Sequence, residues 1–546
     1  MVLSEGSVRA WARAHDIDES DLQLAEQQAL IACTSRLLQA LQNESRLDCP
    51  TNVVSSGDGL VLELGRGPVV EAPIGHGLPF GRVELSGLPA IRDSAGSETI
   101  RTANELLTSV SAAQLIADPI RMARLGDDFL LSYWNVVLNH LLKQRLDGCA
   151  FTPPEPVHLG HQYYPFPGLR DGPDPEMISS CSNLASARVA VPIFRVPNLT
   201  LVSTRFRSVE QCMDAIAAGV NEDPTILIHP WQLELSDTVR GLVSLGLIRD
   251  GAASVEGSPL ASQRTIRLAT GFDVKLPVAA TLTGEHRLIM PTNRVVSQFT
   301  SICLRELVMR HETGDLEFQD DLAVISHPDP KIGCHLSMIV RETPQPRSGE
   351  FLLSAVNAWS TGEADPSLWR VVDREGPESF LSRYVRAIAD GPIRCCLEWG
   401  LALEPHMQNT ILRFDSDGIA GVVIRDLDGT ILNRRSLARW TRWPDTPQAR
   451  ALWKVMPSYA LGVQRLWHAL VSGHLACVVA RLHAWFEADP YSLGALVESE
   501  LDRIVMNYAK CDPDSAGDLR ADRRLIRQML TRRLSRATSD SFAASR

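Results

Sequence analysis

The chain has no CxxC pair among its 11 cysteines, and only Cys395-Cys396 stand together. That spacing excludes a zinc framework or disulfide scaffold and is the pattern of free thiols in a reducing cytosol. It also lacks a basic surplus: 54 Lys+Arg against 65 Asp+Glu leave a net charge of -11, which excludes a broad footprint for nucleic acid or an anionic membrane. The opening MVLSEGSVRAWARAHDIDESD has early acidic residues and no apolar core, unlike a signal peptide, so a cytoplasmic location is expected. No long apolar run is free of charge. The most apolar, ALGVQRLWHALVSGHLACVVARLHAW (460–485), carries Arg465, His468, His474 and Arg481 and is expected to be a buried helix pair rather than a bilayer span. No repeat of fixed period is visible, and low complexity is confined to the tail SRATSDSFAASR, expected to fray.

What remains is ordinary for a globular protein: 45% hydrophobic and 22% charged residues over 546 positions, enough for two to four domains. The first 150 residues mix helical spacing (18–46, 98–116, 127–147) with short alternating strands at 59–87. The Pro/Gly-rich run FTPPEPVHLGHQYYPFPGLRDGPDPE (151–176) cannot hold a regular ladder and reads as a linker or ligand-facing loop. Strand-like segments dominate 188–340, and helical patterns follow, interrupted by a hairpin near 410–424. The expected class is α+β with three lobes, 1–150, 151–345 and 346–546.

Polar groups break into the apolar C-terminal third at EPHMQN (404–409) and RDLDG (425–429). Gly391-Pro392 is expected to end one helix, with a second over Ile393–Leu403. TILRF and IAGVVIRD flank DSDG, a hairpin signal. A turn centred on Ser416-Asp417 sets Asn409 across from Ile424, with Asp426 two residues on, so that both meet His406 and Gln408 at the hairpin mouth. Amides, an imidazole and a carboxylate converging there suit a nucleotide phosphate, its metal ion or an anionic substrate. A capped helix end and a charged turn would place the same residues there for structural reasons alone.

SQRTIRLATGFDVKLPVAATLTGEHR (262–287) adds cations and hydroxyls. Strand periodicity puts Ser262 and Arg264 on one face, and Lys275, Thr283 and Arg287 follow. A straight strand would separate Lys275 from Thr283 by roughly 26 Å. The chain must therefore bend, for which Pro277 is a candidate, or serve two parts of a long site. GHQYYPFPGLRDG (160–172) carries His161 and Arg170 among glycines whose N–H groups could approach phosphates. In LIHPWQLEL, His229 stands at an N-cap position before Pro230, a capping role.

Taken together these blocks resemble the aerobactin-synthetase (IucA/IucC-like) family, the NRPS-independent siderophore synthetases. GHQYYPFPGLRDG, HPWQ (229–232), SQRT (262–265), KLPVAATLTGEHR (275–287), EPHMQN and RD (425–426) stand in the family's order. The resemblance implies a thumb, fingers and palm cradle, and a soluble homodimer that joins small molecules. A carboxylic acid, citrate or a citrate-like acid, is adenylated by ATP with Mg²⁺, and an amine or hydroxyl nucleophile then displaces AMP. By motif position His161, Ser262, Arg264, Lys275, Gln408, Asn409 and Asp426 would face ATP, with Asp426 orienting Mg²⁺. Thr283, Arg287 and His406 would face the acid, and Arg264, Arg287 and His406 would act in catalysis. Departures fall in the glycine-rich loop, where Tyr164 replaces a His and Gly168 a Lys, and at Glu285 and Pro405. These keep open a degenerate binding or scaffold protein. A Mg²⁺-dependent phosphotransferase, whose catalytic loop the HMQN hairpin also resembles, lacks here its Asp between His and Asn.

Overall fold

The computed structural model is α+β and describes residues 3–44, 51–56, 59–65, 67–74, 77–146, 154–157, 159–184, 188–203, 225–310, 312–313, 315–360, 365–441, 450, 458–521, 525–527, 529–535 and 542–544. At the N-terminal end, strands Thr51–Ser56, Gly59–Leu64, Val69–Pro73, Ala90–Asp93 and Gly96–Thr99 form an antiparallel meander. Register pairs Leu62 with Ala72 and Leu64 with Val70, so the period of two buries all four on one face. They share a core with Leu30, Leu37 and Leu41 of helix Glu19–Asn43 and with Phe129 and Val136 of helix Pro119–Leu146. The region 98–116, expected to be one helical stretch, is divided: Gly96–Thr99 is strand, Thr102 caps through Glu105 N, and the helix covers Ala103–Ala112.

An eight-stranded antiparallel sheet follows, in the order Thr200–Ser203, Asp321–Ser326, Ser337–Glu342, Phe272–Lys275, Thr265–Leu268, Arg249–Pro259, Val189–Arg195, Thr225–Leu227. TIRL, FDVK and SMIVRE alternate, and this alternation makes the sheet two-faced. Ile266, Leu268, Val274, Met338 and Val340 line one apolar core. Thr265, Arg267, Asp273, Lys275 and Arg341 fall on the opposite face, because Thr265 pairs with Lys275, Arg267 with Asp273, and Asp273 with Arg341. After Lys275 the chain leaves this sheet. Thr281–Leu282 belongs instead to a small sheet between Arg170–Asp171 and Glu285–His286, so the bend expected around Pro277 is present.

The third core gathers under a four-stranded sheet of Leu316–Phe318, Gly418–Ile424, Thr410–Asp415 and Phe351–Ser354. Helix Pro377–Arg394 buries Phe380, Leu381, Tyr384, Val385 and Ile388 in it. This helix does not stop at Gly391-Pro392. It runs through Pro392 into a π-helical turn, Cys395–Trp399, and ends at left-handed Gly400, φ 75°. Glycine is needed at 391 because a Cβ there would lie 2.4 Å from Leu316 Cβ. Likewise the expected helix pair at 460–485 is one helix, Tyr459–Phe486, with a π-helical turn at Val471–Leu475. It is long and apolar enough to cross a membrane, yet 72% of its most apolar window is buried inside the fold.

At the C-terminal end, Arg533 of helix Met529–Ser535 forms a two-pronged ion pair with Asp128 at 2.7 and 2.8 Å, and Leu530 and Leu534 enter the N-terminal core. Of the tail expected to fray, Phe542–Ala544 pairs with Leu525–Arg527 as a strand, and residues 536–541 and 545–546 lie outside the described residues.

Candidate active site

The polar face of the eight-stranded sheet is the floor of the site. Lys275, 1% exposed, donates to Asp426 and, at 2.9 Å, to Asp428. Arg341, 2% exposed, bridges Asp321 at 2.6 Å and Asp426 at 2.8 Å. Burial and the neighbouring Arg264 push the Lys275 ammonium down, and Asp426 and Asp428 pull it back. Burial opposes ionisation of Asp426 too, but Lys275, Arg341 and Arg264 outweigh it and hold its carboxyl well below the usual carboxylate range. Asp426 is thus a fixed anion. It is also left-handed, φ 65°, a conformation costly to a non-glycine residue and typical of functional turns.

The hairpin turns at Ser416-Asp417 as its DSDG signal requires, with Asp415 paired to Gly418. Its register is one residue off the expected one. A bulge after Arg413 inserts an extra residue before Gly421, which pairs Thr410 with Ile424 and sets Asn409 opposite Arg425, whose N–H donates to Asn409 O at 3.0 Å. Gly421 takes φ 157° there, and a Cβ would lie 2.6 Å from Asp315 O. The bulge carries Asp426 over the floor. Arg425 turns away, forming a buried two-pronged pair with Glu155 at 2.7 and 2.9 Å and donating to Gln408 O at 2.8 Å. Glu155 also accepts from Ala261 N at 2.8 Å, so three loops converge on one carboxylate.

His406 precedes the 3-10 turn Met407–Asn409 and stands edge-on to His161, ring centroids 5.2 Å apart. A buried relay lies behind it. Trp359 Nε1 donates to Tyr384 Oη at 2.9 Å, Tyr384 lies 2.6 Å from His474 Nε2, and His474 Nδ1 lies 3.0 Å from Pro405 O. A carbonyl only accepts, so Nδ1 carries the proton, Nε2 accepts from Tyr384, and every member is satisfied by a neutral imidazole. Burial moves the His474 pKa down to about 4, in agreement. His474 sits in the π-helical turn, a deformation that recurs at functional sites, and its neighbour Gly473 would bring a Cβ to 3.2 Å from His406 Cβ.

Ser262 and Arg264 do not lie on a strand as alternation implied. They occupy a turn that ends at Thr265, with Ser262 Oγ accepting from Thr265 N at 3.1 Å and donating to Thr265 Oγ1 at 2.8 Å, and with Gln263 left-handed at φ 67°. HPWQ holds this turn. His229 Nδ1 accepts from Trp231 N at 3.1 Å, the expected cap, and its Nε2 lies 3.1 Å from Gln263 O, which requires the proton there. Burial takes the His229 pKa down to about 4, so it too is neutral. Gln232 Oε1 accepts from Ala279 N at 2.6 Å and fixes the bend after Lys275. Opposite, Arg287 donates to Leu282 O at 3.0 Å and to Thr283 Oγ1, with Thr283 left-handed at φ 51°. Arg264 spends one donor on Arg287 O at 3.0 Å, and burial lowers its pKa to about 10. Neither arginine makes an ion pair among the described residues.

One cavity of about 900 Å³ is lined by His161, Ser262, Arg264, Thr283, Arg287, His406, Gln408, Asn409 and Asp426. Lys275 lies beneath it, behind Asp426. The motifs did not disclose Arg341 or Asp428, which complete the floor. Their only sequence signals were the charged end of the alternating SMIVRE and a second acid in RDLDG. Among the described residues no three His, Cys, Asp or Glu side chains gather as a complete metal cage. The carboxylates of Asp426 and Asp428, on the floor and both lining the cavity, suit a Mg²⁺ that keeps most of its shell from water and phosphate.

Residues 155–358 match the IucA / IucC family, and residues 378–540 match a family described as Ferric iron reductase FhuF-like transporter. A petrobactin biosynthesis protein, AsbB of Bacillus anthracis, superposes with a TM-score of 0.79 at 15% identity, covering 95% of each chain. An ATP-bound aerobactin synthetase, IucA of Klebsiella pneumoniae, gives 0.74 at 15% identity, covering 94% of this chain and 99% of that one. At this identity the likeness establishes the fold. An NRPS-independent siderophore synthetase of Rhizopus delemar is 27% identical over 196 residues, 33% of this chain and 31% of that protein. The matches to curated relatives span between 31 and 49% of those proteins' length. The motif blocks and these matches agree: over its central segment the chain is of the IucA/IucC type.

Proposed function

We propose that this IucA/IucC-type chain is a siderophore synthetase that adenylates a citrate-like carboxylic acid with ATP and transfers the acyl group to an amine or hydroxyl. The observation that carries this reading is the pairing, in one cavity, of a fixed anion on a buried cationic floor with two arginines that lack carboxylate partners among the described residues. The ATP-bound state of the aerobactin synthetase that shares the fold supports it.

In the first step a carboxylate oxygen of the acid forms a bond to the α-phosphorus, and the bond from that phosphorus to the α,β-bridging oxygen breaks, releasing pyrophosphate. In the second, a nucleophile's lone pair attacks the acyl carbon, the bond from that carbon to the phosphate oxygen breaks, AMP leaves with that oxygen, and the nucleophile's proton passes to solvent. Positioning and charge stabilisation do most of this work. Arg287 and Thr283 hold the acid, Arg264 lies between acid and phosphate to counter charge growing on the phosphorus, and His406, set by the His474 relay, faces the acid. Gln408, Asn409 and His161 bind the nucleotide, and Lys275 and Arg341 keep Asp426 ionised. Mg²⁺, held by Asp426 and Asp428 together with the triphosphate, would neutralise phosphate charge.

Product analysis tests this. Incubation with ATP, Mg²⁺ and a panel of polycarboxylic acids, with and without diamines, is expected to yield AMP and pyrophosphate. ADP would contradict the ligase and favour phosphoryl transfer, and tight ATP binding with no turnover on any pair would favour a binding protein.

A further inference from the structure

Tyr164 has a feature that the motif roles leave unexplained. Its side chain is buried, 5% exposed, in the N-terminal core and against Phe166, yet it also lines the cavity. Among the described residues its hydroxyl has no hydrogen-bond partner. A buried hydroxyl without a partner is a standing cost that folded proteins rarely retain without use. The hydroxyl rests directly over Gly284, where a Cβ would lie 2.1 Å from Oη, and Gly284 takes φ 79°. The turn between Thr283 and Arg287 is therefore built twice over for glycine, by conformation and by the approach of this oxygen.

We propose that the Tyr164 hydroxyl is a specificity-determining donor for an oxygen of the acid substrate, a second carboxylate or a hydroxyl, bound across the Thr283–Arg287 turn. This rests on the function proposed above and adds to it which part of the site reads the acid. The charges that act on the Tyr164 phenol are those of Arg533, Asp128, Arg287 and Glu285. Arg533 and Asp128 are committed to each other in their two-pronged pair, which leaves Arg287 as the cation of this set without a carboxylate partner among the described residues. Both Arg287 and Tyr164 line the cavity, and a guanidinium and a phenol can each donate, so a ligand that reaches both must offer acceptors. Burial pushes the phenol well above its ordinary value, so it keeps its proton and donates. A monocarboxylic acid, with only the reacting carboxylate, would leave this donor unused. A hydroxy-polycarboxylic acid would engage it.

The test uses the full chain and two variants, Tyr164→Phe and Gly284→Ala, with acid-dependent pyrophosphate release and thermal melting as readouts. Tyr164→Phe is expected to raise KM for the preferred polycarboxylic acid about tenfold, about 1.4 kcal/mol, while KM for ATP is unchanged. The melting temperature of the ligand-free variant is expected to equal or exceed that of the wild type, because the substitution removes an unsatisfied oxygen. Gly284→Ala, which displaces the hydroxyl, is expected to raise the same KM.

An unchanged KM for the acid in Tyr164→Phe would overturn the proposal, as would equal increases for acid and ATP, or a lower melting temperature with a uniform loss of activity. Stabilisation of the wild type by citrate in melts reads the subsite without turnover. Citrate stabilisation that Tyr164→Phe diminishes, with no pyrophosphate released, would contradict the proposed function and keep the subsite. Neither stabilisation nor release with any acid would overturn both.

Discussion

The floor and the wall of the cavity are both cationic, but they spend their charge differently. On the floor, Lys275 and Arg341 are neutralised within the protein by Asp426, Asp428 and Asp321. On the wall, Arg264 and Arg287 donate to carbonyls and a hydroxyl and keep their net charge. A charge paired in the fold sustains the architecture and fixes a carboxylate where a cation-bearing ligand is needed. A charge held only by neutral acceptors is positioned but uncompensated, ready for an anion. The two regions should therefore fail differently when cut.

The largest effect is expected on the floor. Lys275→Ala leaves Asp426 and Asp428 beside a vacated buried position, and removing one partner of a buried pair typically costs about 3 kcal/mol or more. Because Asp426 is 27% exposed, the lower end is expected, read as a fall in denaturation midpoint together with loss of ATP binding. A Lys275→Ala variant of wild-type stability would erase the distinction between floor and wall.

Next comes the His474 relay, whose removal should act on the acid side. His474→Gln is expected to lower kcat about tenfold with little change in KM for ATP, through a misplaced His406. It also has a pH signature. The folded values of His474 and His229, about 4, lie below the ordinary 6.5, so the unfolded chain binds more protons between those limits. Their contribution to stability is full above pH 6.5 and lost as pH falls toward 4. His474→Gln should flatten that acid limb by about one proton, which denaturation at stepped pH would measure.

The smallest effect is expected at Ser262, whose hydroxyl already serves Thr265 within its own turn. Ser262→Ala should cost about 1 kcal/mol of stability and change KM for ATP less than threefold. A large KM effect would move Ser262 into the group of direct ligand contacts.

These contrasts also mark what was legible in the sequence. The order of HPWQ, SQRT, KLPVAATLTGEHR, EPHMQN and RD located the cavity, because short polar blocks between apolar strands need a common destination. The DSDG turn was readable, but the bulge before Gly421 was not, since it answers the backbone of Asp315, 106 residues away in sequence. Pro392 and the 459–486 helix were misjudged for a related reason. A local breaker signal predicts an end, whereas tertiary packing of Gly391 on Leu316 and the His474 contact with Pro405 hold the helices continuous through π-helical turns. Arg341 was hidden in an otherwise unremarkable strand, since only register reveals that it shares a face with Lys275.

The central claim is that the wall binds the acid while the floor serves the nucleotide, and Arg287→Ala tests it most directly. Acid-dependent exchange of labelled pyrophosphate into ATP, measured beside calorimetric ATP binding, should show exchange lost by more than about 100-fold with ATP affinity held within about threefold. Equal loss of exchange and of ATP affinity would contradict the division between wall and floor.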